Sequence, residues 1–275
     1  MRVFVTGATG YIGTEVVREL TEAGHKVIGL TRSENGIIKL KEAGAEVHQG
    51  SLDDLESLRS GAAVADGVIH LAFKHDFSDF AGSLATDLQA IKAMGEMLEG
   101  TDKPFLTTQH ANGTASDNAT FELAKQGVRA SVVSLSPTVH GDGDKGFIPR
   151  LIKIAREKGL SAYIGDGSNR WSAVHRRDAA HLYRLALEAA PAGSKLDGVG
   201  DEGIPFRDIA NVIGRHLNLP VVSIPREQAE AHFGFLGPIA ALDIPRSSEQ
   251  TQELLNWRPL HPTLISDLEQ GDYFK

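Results

Sequence analysis

Cysteine is absent from the 275 residues of this sequence. Its absence excludes disulfide bonds, thiolate metal sites and cysteine nucleophiles together. Long apolar runs are missing too: no stretch approaches the roughly 20 apolar residues that a membrane-spanning helix needs. No charged, apolar and small-residue signal precedes the first strand candidate. We therefore expect a cytoplasmic protein with no membrane partner.

Positive charge is also scarce. The chain has 28 Lys and Arg against 36 Asp and Glu, which gives a net charge of −8 and a pI near 5.8. No long basic run is present to neutralise nucleic-acid phosphates, so we expect no nucleic-acid partner. The 11 histidines are scattered, without HExxH-type pairing, so no metal site is predicted. The hydrophobic fraction of 41% is ordinary for a globular chain with one large core or a core and a small lobe.

Three regularly spaced glycines near the N-terminus form a recognisable motif. Gly7, Gly10 and Gly13 follow the apolar run 3–5 and open a helical pattern. In that setting the first glycine suits a tight turn, the second leaves room for a pyrophosphate, and the third lets the helix pack closely on the sheet. The alternative, a glycine turn that binds nothing, is disfavoured by the context. The motif predicts a dinucleotide site that includes Gly7, Thr9, Gly10, Tyr11, Ile12 and Gly13.

The context of the motif is a strand, a helix and a second strand. Ile12, Val16 and Leu20 recur on one helix face, Gly24 ends the helix, and residues 25–30 supply the next strand. This βαβ unit has the length that the glycine motif requires.

The end of the second strand carries no acid. An Asp or Glu there would accept hydrogen bonds from the ribose hydroxyls of NAD. Instead, Arg32 is suited to pair with the 2′-phosphate of NADP, and Ser33 to donate to it. We therefore predict NADP as the cofactor, with NAD as the alternative; the competing interpretation is that Arg32 is a solvated loop charge.

Three further segments complete a resemblance to a known family. The TGxxGxxG spacing, the turn at 136–141, the segment 169–180 and the Leu-Asn-Trp-x-Pro run at 255–259 resemble the extended and atypical branches of the short-chain dehydrogenase/reductase superfamily, of the NAD-dependent epimerase/dehydratase-like type. The resemblance implies an α/β fold: a Rossmann-type doubly wound parallel sheet with a small C-terminal α/β substrate lobe. It implies a dinucleotide-binding core in 1–140 and a lobe mainly in 141–275, with some segments returning to the core. It also implies a homodimer formed by the helices on either side of strand five.

The resemblance assigns further contacts to cofactor and substrate. Relatives have an acid and an apolar residue beside the adenine where this chain has Ser51 and Leu52. The other implied cofactor contacts are Leu71, Ala72, Phe73 and Pro137, and the implied substrate contacts are His140 and Arg170. His70, inside the fourth strand, is interpreted as a hydrogen-bonded interior histidine. Asp53 and Asp178 are interpreted as caps of the helices that follow them.

The catalytic pattern of most relatives is missing. They join a Ser or Thr at the end of strand five with a Tyr and a Lys in YxxxK, and the tyrosine exchanges a proton with the substrate. Thr107 or Thr108 supplies a hydroxyl here, but none of the four tyrosines has a lysine four residues later. Phe121 and Lys125 have the spacing without the phenol. The loop after strand five is also short, because only residues 109–115 precede the next helical pattern.

Three functions fit these observations. The first is an oxidoreductase that transfers hydride between NADP(H) and a small carbonyl or alcohol, with His110 as proton donor and Thr107 or Thr108 orienting the substrate. His140 is the second candidate donor, and an exposed loop position is the competing interpretation of His110. The second function is a catalytically inactive NAD(P) sensor, as in the regulators of nitrogen-metabolite repression. A sugar-nucleotide epimerase is the third, weakened because its chemistry uses the missing tyrosine.

Overall fold

The structure is a computed structural model that describes residues 1–76 and 78–275. Its residues group into two compact units, and the chain passes between them repeatedly. Unit 1 comprises 1–134, 179–196 and 250–257, and unit 2 comprises 135–178, 197–249 and 258–275.

A seven-stranded sheet is built by the described residues of β1 (Arg2–Thr6), β2 (Lys26–Thr31), β3 (Glu46–Gln49), β4 (Gly67–His70), β5 (Pro104–Thr108), β6 (Arg129–Leu135) and β10 (Lys195–Gly198). The spatial order is β10-β6-β5-β4-β1-β2-β3, and the pairings from β3 to β6 are parallel. The predicted Rossmann-type doubly wound sheet is therefore confirmed. The strand order reverses between β1 and β4, where open sheets of this kind bind ligands beyond the carboxyl ends of the strands.

Helices flank this sheet: α1 (Tyr11–Glu22), α2 (Glu34–Glu42), α3 (Leu55–Ala63), α4 (Phe80–Glu96), α5 (Thr114–Lys125), α7 (Arg176–Ala189) and α11 (Glu249–Leu255). Apolar side chains from sheet and helices meet in a core that includes Phe4, Leu58, Ile91, Met94 and Phe105, all fully buried. The helical periodicity of the sequence thus follows from one buried face on each helix.

Four helix boundaries differ from the sequence predictions. The pattern at 76–100 predicted one long helix, but α4 starts at Phe80 because Asp79 accepts a hydrogen bond from Gly82 N and caps it, and residue 77 lies outside the described residues. The cap of α3 is Asp54, not Asp53, since Asp54 accepts from Ser57 N. Helix α5 begins at Thr114 instead of near residue 116.

Helix α7 begins at Arg176, before Asp178 and not after it. Asp178 therefore lies inside its first turn and is not its cap. The carboxylate instead accepts hydrogen bonds from the backbone N–H groups of Leu260 and His261, at 3.0 and 3.1 Å. Asp178 thus holds a distant part of the chain in place.

Unit 2 contains two small sheets. Strands β7 (Thr138–His140), β9 (Arg170–His175) and β11 (Asp201–Pro205) form one in the order β11-β9-β7, while β8 (Ser161–Ile164) and β12 (Val221–Ile224) pair in parallel. The helices of this unit are α6 (Phe147–Lys158), α8 (Phe206–Leu217), α9 (Ala229–Phe233), α10 (Gly237–Ala240) and α12 (Leu264–Gln270). Trp171 and Phe206, in edge-to-face contact at 4.9 Å, lie at the centre of its core. Among the described residues, no helix combines the length and apolar character needed to cross a bilayer.

Candidate dinucleotide and active site

The three motif glycines meet three different surroundings. Gly7 has φ +69°, and a Cβ there would lie 2.8 Å from Ala72 N. A Cβ on Gly13 would lie 2.0 Å from Gly7 O, so that glycine allows α1 to pack against the turn. Of the described atoms, a Cβ on Gly10 would approach Gly7 O alone, at 3.1 Å, and Gly10 is exposed. The first and third glycines are therefore required by the fold, whereas the second leaves open space in front of the helix.

The N-terminus of α1 suits an anion. Gly10 is its N-cap, and within the described chain no side chain caps this helix and no acid occupies its first turn. Its N-terminal N–H groups and the positive end of the helix dipole therefore face the space that Gly10 keeps clear. Phosphate groups bind at such helix starts, so the residues present fit a pyrophosphate.

Arg32 and Ser33 are both exposed at the end of β2. Ser33 Oγ accepts a hydrogen bond from Gly36 N at 3.1 Å and caps α2, a role that the sequence prediction missed. Because that bond uses a lone pair, the hydroxyl hydrogen stays available for donation. Ser51 and Leu52, half-buried, lie just beyond β3, the neighbour of β2.

A buried polar network lies at the carboxyl ends of β1 and β4. Thr6 Oγ receives the N–H groups of Leu71 and Ala72, each at 3.2 Å, so its own hydrogen is directed to His70 Nδ1 at 2.6 Å. This leaves the proton of neutral His70 on Nε2, which donates to Asp87 Oδ1 at 3.2 Å. The predicted interior role of His70 is confirmed.

Asp87 is the centre of this network. It is 1% exposed, accepts from Ser116 Oγ at 2.6 Å, and lies 3.8 Å from His110 Nε2. Burial raises its pKa, but the hydrogen bonds from His70 and Ser116 outweigh burial and hold the pKa below its usual value. No sequence motif points to Asp87. The available signal was an acid among apolar residues on the inward face of α4.

His110 is held beside Asp87 by its neighbours. Its ring stacks on Phe73 at 3.9 Å, and its side chain is only 16% exposed. Burial lowers its pKa to about 4, against the opposing effect of Asp87. The imidazole is therefore neutral at physiological pH, and not the imidazolium that a proton donor requires in its resting state.

The two threonines at the end of β5 are hydrogen-bonded within unit 1. Thr107 is 1% exposed, and its Oγ lies 3.0 Å from Thr120 Oγ. Thr108 Oγ donates to the carbonyl oxygen of His70 at 2.9 Å and pairs with Tyr183 Oη at 2.7 Å. Tyr183 is fully buried, and burial raises its pKa well above its usual value. The structure thus pairs a threonine with a tyrosine, but not one on the YxxxK helix.

Three predicted contacts belong to unit 2. Pro137 is exposed between β6 and β7. His140 is 1% exposed, and its Nδ1 donates to Asp267 Oδ2 at 2.6 Å. Arg170 is exposed and makes a two-point ion pair with Asp243 at 3.0 and 2.9 Å, so an anionic substrate would compete with that carboxylate.

Known proteins resemble this chain over its whole length. The model of the NmrA-like family matches residues 1–94. An uncharacterized protein of Schizosaccharomyces pombe is 48% identical, with 100% of both chains covered. The 2-alkyl-3-oxoalkanoate reductase of Stenotrophomonas maltophilia is 29% identical over 82% of this chain and 77% of its own.

Solved structures show the same fold. A dTDP-glucose 4,6-dehydratase of Streptomyces venezuelae, solved with NAD bound, superposes with a TM-score of 0.78 at 16% identity and covers 100% of this chain and 97% of its own. The glycine loop, the sheet order and these likenesses together indicate the protein family to which the chain belongs. The chain belongs to one family with the fission-yeast protein, and its sequence and fold are similar to those of the atypical and extended short-chain dehydrogenases/reductases, as the motifs predicted.

Proposed function

We propose that this protein binds NADP(H) and catalyses hydride transfer between it and a carbonyl or alcohol carbon of a small molecule. The observation that carries the proposal is the Asp87 network, which joins a titratable imidazole to the glycine loop through Thr6 and His70. A buried carboxylate surrounded by imidazoles at the ligand-binding edge of the sheet is a feature of acid–base sites. The reductase relative supports a carbonyl substrate.

The cofactor contacts follow the order of the strands. Gly7, Gly10, Gly13 and the start of α1 hold the pyrophosphate, and Arg32 and Ser33 hold the 2′-phosphate. Ser51 and Leu52 lie by the adenine, Leu71, Ala72 and Phe73 line the nicotinamide-ribose side, and Thr9, Tyr11 and Ile12 complete the set. When bound, the nicotinamide supplies or takes up the hydride, for which side chains have no equivalent.

His110 moves the proton that accompanies the hydride. In alcohol oxidation the neutral imidazole accepts the hydroxyl proton, and the carboxylate of Asp87, 3.8 Å away, stabilises the imidazolium. In carbonyl reduction the same imidazolium must form first. Because the pKa of His110 is about 4, the reduction rate should fall about tenfold per pH unit above that value, while oxidation levels off.

The first experiment is calorimetric titration of the full chain with NADPH and NADH. We expect NADPH to bind more tightly. Arg32→Asp should reverse the preference, because a carboxylate repels the 2′-phosphate. The matched control is Lys41→Asp, which makes the same charge change at the other end of α2 and should leave the ratio unaltered. Failure of both dinucleotides to bind would overturn the proposal.

The second experiment tests turnover. A panel of 3-oxo acids, ketones and the corresponding alcohols is followed at 340 nm with wild-type protein and the His110→Gln variant. We expect turnover that decreases by about 10²-fold or more in the variant, the usual contribution of a positioned acid or base. Undiminished turnover would remove His110 from the mechanism.

A dinucleotide sensor is the second candidate, and one observation favours it. The hydroxyls of Thr107 and Thr108 already have partners within unit 1, so neither is aimed at a substrate in this arrangement. A sensor predicts tight NADPH binding with no consumption across the whole panel.

A further inference from the structure

Two histidines and an aspartate converge in unit 2. His175 ends β9, and Asp178 follows it by three residues in the first turn of α7. The third residue, His261, arrives from the C-terminal segment, where its Nδ1 donates to Asp178 Oδ1 at 2.7 Å. One ligand atom of each of the three side chains lies within 4.8 Å of the others.

These three side chains form a recognised type of donor set. Two imidazoles and one carboxylate bind divalent first-row transition metals such as Zn²⁺, Fe²⁺ and Co²⁺. Asp178 is 3% exposed, whereas the His261 ring is 35% exposed and offers an entry path.

The surrounding charge suits a dication. Asp267 Oδ2 lies 3.9 Å from His175 Nε2 and gives the site a second carboxylate beside Asp178. On its other side Asp267 accepts from His140 Nδ1, whose ring meets His175 edge-on at 5.4 Å. A metal ligand with hydrogen-bonded carboxylates and imidazoles behind it has the outer support that metal sites use.

One movement is required for binding. The rings of His175 and His261 are stacked with centroids 4.8 Å apart and 9° between their planes, and a metal must lie in the plane of each ring it binds. The exposed His261 ring is the one with room to turn. Its turn breaks the hydrogen bond to Asp178, and the ring then binds the metal through the nitrogen that carries no proton. Ligation through His175 Nδ1 would also replace the 3.2 Å contact from Arg177 N.

We propose that His175, Asp178 and His261 form a binding site for one divalent transition-metal ion, with Zn²⁺ as the probe. The site is independent of the dinucleotide and of the proposed hydride transfer. Zn²⁺ bound there would cross-link the start of α7 to the C-terminal segment and stabilise the folded chain.

The test is calorimetric titration of the metal-free full chain with Zn²⁺, with Co²⁺ absorption in the visible range as a second readout. We expect one ion per chain and ligand-field bands from Co²⁺. His261→Asn should weaken binding by about tenfold or more. His175→Asn should do the same, and circular dichroism establishes that each variant is folded.

His216→Asn is the matched control. His216 also bonds a carboxylate, Glu269, at 2.9 Å, and stacks on a ring, Phe274, at 4.5 Å, but it has no place in the cluster. This variant should bind Zn²⁺ as the wild type does. Absence of one-to-one binding in the wild type, or equal loss in the His216 and His261 variants, would overturn the proposal; the exposed His261 position keeps the test available if the His175 variant does not fold.

Discussion

At the scale of single residues, Gly10 and Gly13 differ in what an added methyl group would meet. Gly13→Ala forces a Cβ to within 2.0 Å of Gly7 O and should destabilise the protein by about 1–3 kcal/mol through overpacking. Gly10→Ala brings a Cβ to 3.1 Å from Gly7 O, a close contact that a shift of a few tenths of an ångström relieves, and should lower the melting temperature much less than Gly13→Ala. The same variant should weaken NADPH binding about tenfold or more, a free energy of about 1.4 kcal/mol. Thermal melts and calorimetry separate the two effects, and equal losses of stability would contradict this account.

The titration of His110 is a second property of one residue. In the unfolded chain its pKa is about 6.5, and in the folded protein burial lowers the pKa to about 4. Below pH 6.5 the imidazole therefore binds a proton in the unfolded chain but not in the folded protein. The free energy of unfolding that is present above pH 6.5 is therefore reduced as the pH falls towards 4. The loss is about 3 kcal/mol at 1.36 kcal/mol per pKa unit.

His110→Asn should remove most of that pH dependence. Urea unfolding at pH 7 and pH 4.5 measures it, with His216→Asn as the control because that ring is 28% exposed. Asp87, His70 and His75 also face His110 and are the same in both proteins. Identical pH dependence in wild type and the His110 variant would show that the imidazole is protonated in the folded state.

At the scale of an element, the start of α2 combines a structural and a binding role. Ser33→Ala removes the acceptor for Gly36 N and should cost about 1 kcal/mol of stability. Ser33→Asp keeps a capping oxygen but places a negative charge beside the 2′-phosphate. It should therefore retain stability while weakening NADPH relative to NADH. Chemical denaturation and dinucleotide titration of both variants measure this, and a Ser33→Asp variant with unchanged preference would place the 2′-phosphate elsewhere.

Helices α4 and α5 show how an element carries a site. Asp87 and Ser116 meet because α4 and α5 lie side by side with their buried faces inward, and the turn from β5 brings His110 to the same point. Neither helix carries a sequence motif that predicts this meeting of side chains. Because the YxxxK pair is absent, no known catalytic motif predicts this site. The packing of the two helices brings a different set of titratable groups together.

At the scale of the whole molecule, unit 1 is assembled from three separated segments. A fragment of residues 1–140 would lack all of α7 and the strand β10, which pairs with β6. It would expose the buried surface that Leu182 and Leu187 cover, and Thr108 would lose Tyr183 as its hydrogen-bond partner. We expect this fragment not to fold cooperatively and not to bind NADPH, as judged by thermal melts monitored by circular dichroism against the full chain. A cooperative, NADPH-binding fragment would refute this expectation.

The sequence by itself determined the parts of this protein that depend on local rules. The glycine spacing, the alternation of apolar runs and the missing tyrosine and lysine are readable in order, because turns, strands and helix faces are set by neighbours a few residues away. From these followed the doubly wound sheet and the family, and with them the predicted cofactor residues.

Tertiary structure alone decided which polar groups meet. Asp87 joins His70 and Ser116 across 17 and 29 residues, and Asp178 meets His261 across 83. It also decided that His110 is neutral and that Thr108 has Tyr183 as a partner, since burial and pairing depend on the packing of distant segments. Local sequence patterns do not predict such contacts, because these groups interact only after the chain has folded and brought them together.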